Sequence, residues 1–278
     1  QQGGGLLLVG LGWSWPMYNS STLPEYPINQ LAEPFEIMWL GGTVTDTDAA
    51  NEVRYSEFTS SCALSRVPLN DTGITWGGSY PSGNNESCTG ETIEAQDCSH
   101  GRDVTHNDDS DGHAGFSFTK LDSSGHELAA SATEWGCVKD NVTDLIWEVK
   151  TDDGGVHDKD NAYRWGGISA IGRAHADVKG TYYDDWNELV NGTNSESLCG
   201  YSDWRVPTLE ELRSISNKYS YRPAIDTNYF PNTPAAWFWS SSPYAHYSGS
   251  AWRLSFDDGY DASNNRYNSY HVRLVRSG

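Results

Sequence analysis

Five cysteines, at positions 62, 88, 98, 137 and 199, set the first limit on what this chain can fold into. None forms a C-x-x-C pair and no histidine stands at zinc-finger spacing, so they read as disulfide partners in an oxidising compartment. Cys88 and Cys98 can close a short loop across Thr89 to Asp97, and Cys137 with Cys199 can staple two distant segments. Cys62 is then the odd thiol. A catalytic cysteine needs an activating base beside it, and none has one adjacent in sequence. Cys98, His100, His106 and His113 match no zinc-ligand template.

The formal charge is −20, of which −15 falls on residues 1–137. Phosphate binding needs a basic stripe, so nucleic acid is excluded as the expected partner. The 12 Trp and 16 Tyr supply apolar area for a sizeable core, which argues against a disordered acidic tail. No apolar run reaches the length of a membrane span. The first basic residue is Arg54, so the apolar stretch near the start lacks the positive region of a signal peptide, and Gln1 is expected to be a mature terminus.

That stretch, LLLVGLGWSW at 6–15, has a strand's parity: Leu7, Val9, Leu11, Trp13 and Trp15 share one bulky face, opposite a smaller face containing Gly10 and Gly12. Pro16 ends it by removing a backbone donor. Residues 1–16 therefore read as an apolar arm. Residues 17–66 read as a Pro- and Ser-rich linker followed by short strands within 35–45 and 52–66, and 67–278 as the main domain. From Asn70 to Gly115, Gly, Asn, Asp, Ser and Thr predict a long loop region. VTDLIWEV at 142–149 predicts a strand. Helices are predicted near Asp184–Asn191 and from Thr208, where Thr208 and Glu211 make a capping box. WFWSSS, AWRLSF and YHVRLVR predict strands separated by turns such as Asp257-Asp258-Gly259. The fold class is α+β.

The segments CVKDNVTDLIWEVKTDDGG (137–155), LCGYSDWRVPTLEEL (198–212), AIDTNYFPNTP (224–234), WSSSPYA (239–245) and YHVRLVRSG (270–278) together resemble the Lcl C-terminal domain family. The resemblance covers 137–278. It implies a fold similar to the C-type-lectin and formylglycine-generating-enzyme group, a secreted or surface location, and pairing of Cys137 with Cys199. It implies a scaffold and no reaction, and no catalytic motif appears in the sequence. Asp144 stands where the family usually has Gly in a turn, so the backbone there is expected to differ.

Asn107, Asp109 and Asp111, in NDDSDG, have the alternate spacing of a calcium loop, though Phe118 at the twelfth position excludes an EF-hand. The other reading is a solvated acidic turn, and the same pair of readings holds for Asp152, Asp153, Asp158 and Asp160. Tyr244 and Tyr247, among polar neighbours, are candidates for stacking on glycans. Asn19, Asn70, Asn85, Asn141 and Asn191 head N-x-S/T sequons, glycosylated if an exporting cell modifies them.

Two functions fit. An exposed apolar strand face must be buried, and if a neighbour buries it, each subunit donates and accepts a strand, giving a head-to-tail contact that propagates into an extracellular filament. Burying five large side chains contributes roughly 8–15 kcal/mol gross, much of it offset by ordering the arm. The alternative is a monomeric adhesin that holds glycans through loop aromatics and Ca²⁺. Neither is an enzyme.

Overall fold

The computed structural model describes residues 37–41, 56–60, 70–79, 83–89, 93–166, 171–172, 181–182 and 185–278. The arm at 6–15, Asn19 and Cys62 lie outside the described residues. The chain divides into two units, Gln1–Val67 and Pro68–Gly278. In the first, β1 (Ile37–Gly41) pairs antiparallel with β2 (Ser56–Ser60), with Ile37 opposite Ser60. Both strands fall in the segments whose composition predicts them.

In the second unit, β3 (Gly77–Ser79) and β4 (Gly83–Asn85) form a small hairpin ahead of the one-turn helix α1 (Asp97–His100). The strands β5 (Phe118–Leu121), β6 (Cys137–Asp140) and β7 (Leu145–Glu148) follow. They join β13 (Val275–Ser277) in an antiparallel sheet of order β13-β7-β6-β5. Two short strands, β8 (Ile171–Gly172) and β9 (Thr181–Tyr182), pair with each other. Helix α2 spans Asp185–Glu196 and α3 spans Leu209–Ser214. The strands β10 (Trp237–Pro243), β11 (Ser250–Ser255) and β12 (Asp261–Asn265) make a second antiparallel sheet, in that order. Mixed helices and antiparallel sheets make the chain α+β.

Strand parity explains why the four-stranded sheet is buried on both faces. Phe118, Val138, Trp147 and Val275 point into one apolar cluster with Phe230, Phe238 and Leu254. Leu121, Cys137, Ile146 and Leu274 point into another with Trp204 and Trp239. Both disulfides are present: Cys88–Cys98, with Cα atoms 5.9 Å apart, and Cys137–Cys199, with Cα atoms 6.4 Å apart. The Thr208–Glu211 capping box forms, and Arg205 grips both oxygens of the same Glu211 carboxylate at 2.8 and 2.6 Å. Asp144 has φ 58°, the left-handed conformation open to glycine, so the residue change requires no different turn. Its carboxylate lies 3.1 Å from the Lys139 ammonium.

The sheet also carries charge into the core. Glu148 and Arg273 are fully buried and Lys150 nearly so. Glu148 Oε1 accepts from Lys150 at 2.9 Å and faces His157 Nδ1 at 2.7 Å, while Oε2 accepts the Leu274 N–H at 2.7 Å. Arg273 donates to the Glu148 carbonyl at 2.5 Å and to Thr233 Oγ1 at 2.7 Å. Burial alone would raise the Glu148 carboxyl, but Lys150 and then His157 outweigh it and hold it at about 2. Burial brings Arg273 down to about 10 against the pull of Glu148.

The second nitrogen of His157 meets Glu196, at the end of α2. Burial disfavours its charged form, but Glu148 and then Glu196 outweigh that and raise it above the usual 6.5. A raised folded value means stabilisation present in full below 6.5 and lost as pH rises through the folded value. Thermal melts across that window are expected to show stability falling with pH in the parent and a flatter profile in His157→Gln. Identical slopes would remove the histidine from the account.

Candidate functional site

β12 is an edge strand of the second sheet. Ser255 N–H bonds Tyr260 O at 2.7 Å and Arg266 N–H bonds Gly249 O at 2.9 Å. With Arg253 opposite Ala262 and Ala251 opposite Asn264, the alternation of an antiparallel pair makes even-numbered residues of β12 face β11. The N–H and C=O groups of Asp261 and Ser263 therefore point away from the sheet. Asp261 is held at this edge by Arg213, whose Nε lies 2.8 Å from its carboxylate.

Aromatic side chains pack around Arg253 on the central strand β11. Arg253 stacks between the rings of Trp237, at 3.7 Å, and Tyr270, at 4.3 Å, and Tyr260 meets Trp237 edge-on at 6.2 Å. Burial lowers Arg253 from its usual value. The β10–β11 loop carries Tyr244 and Tyr247. Tyr244 packs edge-on against Trp252 at 5.2 Å, whereas Tyr247 is 49% exposed. Of the candidate glycan contacts, Tyr247 thus presents the freer ring.

A cleft of about 500 Å³ lies elsewhere on the unit, with Asp109, Lys120, Trp135, Asp226, Asn228 and Tyr229 among its walls. Lys120 is buried, donates to the carbonyls of Ala130 at 2.9 Å and Ala132 at 2.8 Å, and lies 3.7 Å over the Trp135 ring. Its ammonium thereby organises the loop between β5 and β6, and burial, opposed by Asp226, lowers its pKa. Carboxylates, amides and a half-buried tryptophan can accept hydroxyl donors and stack a ring. Sequence reasoning missed this cleft, because its residues are scattered over segments that only the fold joins.

Two of the calcium-loop residues already accept protein hydrogen bonds. Asp109 Oδ1 accepts the Ala114 N–H at 2.7 Å, Asp111 Oδ2 accepts from Ser117 Oγ at 2.5 Å, and Asn107 is exposed. The second acidic cluster also turns inward, with Asp158 accepting the N–H groups of Asp153, Gly154 and Asp160. Among the described residues no group of three or more His, Cys, Asp or Glu side chains is arranged to hold a metal ion.

The sequons differ in availability. Asn70 donates to the buried Asp140 at 2.7 Å, Asn85 to Thr89 O at 2.7 Å, and Asn141 to Ser117 and Thr119 at 3.1 and 3.0 Å. Asn191 is exposed on α2, and the Thr193 hydroxyl two residues on donates to Leu189 O at 2.7 Å.

Two disulfides fit an oxidising compartment. No described helix is long and apolar enough to cross a membrane. No curated protein and no solved structure gives a match. The Lcl C-terminal domain matches residues 136–276, just over half of the chain and all within its second unit. The chain belongs to the Lcl C-terminal domain family.

Proposed function

We propose that this protein is a secreted, non-catalytic structural subunit that assembles head to tail into an extracellular filament, the N-terminal strand of one copy pairing with a sheet of the next. The observation that carries this reading is the shared parity of Leu7, Val9, Leu11, Trp13 and Trp15, a continuous apolar face that water disfavours. The outward main-chain groups of Asp261 and Ser263 support it, because an incoming strand needs an unpaired edge. Small side chains at Ala262 and Ser263 leave room beside that edge.

The test combines donor and acceptor. Deleting residues 1–16, or placing an unpartnered carboxylate on the arm with Val9→Asp, is expected to leave a folded, unassembled domain. Ser263→Pro removes an outward N–H without touching the β11 ladder, and should block assembly equally. Sizing and electron microscopy read the result. Filaments persisting in all three variants, or a parent monomeric at every concentration, would sink the proposal.

A second reading, glycan binding by a lectin-like domain, is favoured by the exposed Tyr247 and by the polar, tryptophan-bearing cleft. It expects sugar-dependent retention on a glycan surface by the unassembled domain.

A further inference from the structure

The cleft walled by the β5–β6 loop and by residues 226–229 holds one ammonium and two carboxylates, and these are not equally available to a ligand. Lys120 is only 6% exposed. Of its three N–H donors, two go to the carbonyls of Ala130 and Ala132, at 2.9 and 2.8 Å. The ammonium also lies 3.7 Å over the Trp135 ring, with the Tyr229 ring at 5.5 Å. A cation enclosed in this way is part of the wall. It cannot receive an anion without giving up bonds made in a buried setting.

The carboxylates are the opposite case. Asp109 is exposed and Asp226 half-buried. Asp109 Oδ1 accepts the Ala114 N–H at 2.7 Å, and Asp226 Oδ1 accepts the Asn228 N–H at 2.9 Å. Those bonds fix each carboxylate in its own turn, while Oδ2 of each has no partner among the described residues. Two carboxylates stand against one ammonium, and the other lining residues are uncharged, so one negative charge is left over. The formal charge of −20 on the whole chain draws cations toward such a cleft and repels anions.

We propose that this cleft takes an amino sugar, a saccharide whose free ammonium meets the open carboxylate oxygens of Asp109 and Asp226 while its hydroxyls meet Thr133, Thr227 and Asn228. The assignment rests on the glycan-binding reading and narrows it in two ways. It places the ligand in the cleft rather than at Tyr247. It also excludes uronic, sialylated and sulfated sugars, which would bring further negative charge to Asp109 and Asp226 with no free cation to receive it. An N-acetylated sugar keeps the hydroxyls but loses the charge, and with it the stronger, charge-assisted hydrogen bond. The volume of about 500 Å³ falls within the roughly 300–1,000 Å³ of small-ligand sites.

The test titrates the full chain by calorimetry with the disaccharide of glucosamine, its N-acetylated form and a glucuronate-containing disaccharide. Physiological salt screens the long-range field, and a mildly acidic buffer keeps the amine protonated and the carboxylates ionised. The glucosamine disaccharide is expected to bind, the N-acetylated form to bind about tenfold more weakly, and the glucuronate form to give no heat. In Asp226→Asn and Asp109→Asn the amide oxygen still accepts the N–H of the turn, so the fold is kept and affinity for the amine should fall about tenfold. Glu86→Gln, at an exposed carboxylate on another loop, and Tyr247→Ala should leave it unchanged. An N-acetylated form that binds as tightly as the amine overturns the assignment and leaves glycan binding standing. So does affinity lost in Tyr247→Ala but kept in both aspartate variants, or an absence of heat from all three sugars in a domain that a glycan surface still retains. An absence of both heat and retention overturns the glycan-binding reading as well.

Discussion

Glu148→Ala is expected to destabilise the second unit by about 3–5 kcal/mol, a large part of the 5–15 kcal/mol typical of a whole domain. The reason is what the substitution leaves behind. Lys150 loses its carboxylate partner at 2.9 Å, Leu274 N–H loses its acceptor at 2.7 Å, and a fully buried Arg273 keeps only the Glu148 carbonyl and Thr233. Breaking one member of a buried charge network strands the others in a poorly solvating interior. Urea unfolding followed by tryptophan fluorescence measures the loss, and Glu148→Gln should fall between parent and alanine because the amide can still accept from Leu274. A loss below about 1 kcal/mol for the alanine variant would mean that water reaches the cluster and screens it.

Replacing Cys137 and Cys199 together by alanine is expected to cost about 4 kcal/mol, from the chain entropy released when a 62-residue loop is opened. The same argument gives about 3 kcal/mol for Cys88 and Cys98, which are separated by only 10 residues. The two bridges differ further in setting. Cys137 and Cys199 are buried in the apolar cluster with Trp204 and Trp239, so their loss also leaves a cavity. Denaturant midpoints for the two double variants give the order directly. A larger loss at Cys88–Cys98 would show that loop entropy is not the governing quantity.

What could be read in advance was local. Thr208 and Glu211 announce a helix start because both halves of the capping box lie within one turn, and that helix begins where they place it. The helix predicted near Asp184–Asn191 also exists, running on to Glu196, beyond its last strongly apolar position. β12 was illegible for the opposite reason. Its DASNN sequence lacks β-branched and aromatic residues, and it becomes a strand only because β11 offers it a ladder. YHVRLVR has the composition of one long strand, yet Tyr270 and His271 make isolated bridges and the regular strand covers only Val275–Ser277. There the chain passes between sheets, which composition does not encode. The strand predicted over 142–149 is shorter, Leu145–Glu148, because residues 141–144 form the turn. At Asp109 and Asp111, spacing records which oxygens are near in sequence but not that the Ala114 N–H and the Ser117 hydroxyl each engage one of them.

The buried pairing of Glu148 with Arg273 also dictates an order of events during synthesis. Arg273 lies 125 residues after the carbonyl it grips, and Leu274 lies 126 residues after the carboxylate that accepts its N–H. Until those residues emerge, β7 has no partner on its β13 side, and Glu148 and Lys150 have only each other and His157 in which to neutralise their charge. Such distant closures slow folding, because the loop between them must be ordered before any contact rewards it. A nascent chain shorter than this would hold its disulfide-forming cysteines, its helix α3 and most of β10–β12 without a finished core. Closure of the unit's core therefore waits for residues 273–275, and a chain truncated before Arg273 is expected to lack a stable second unit.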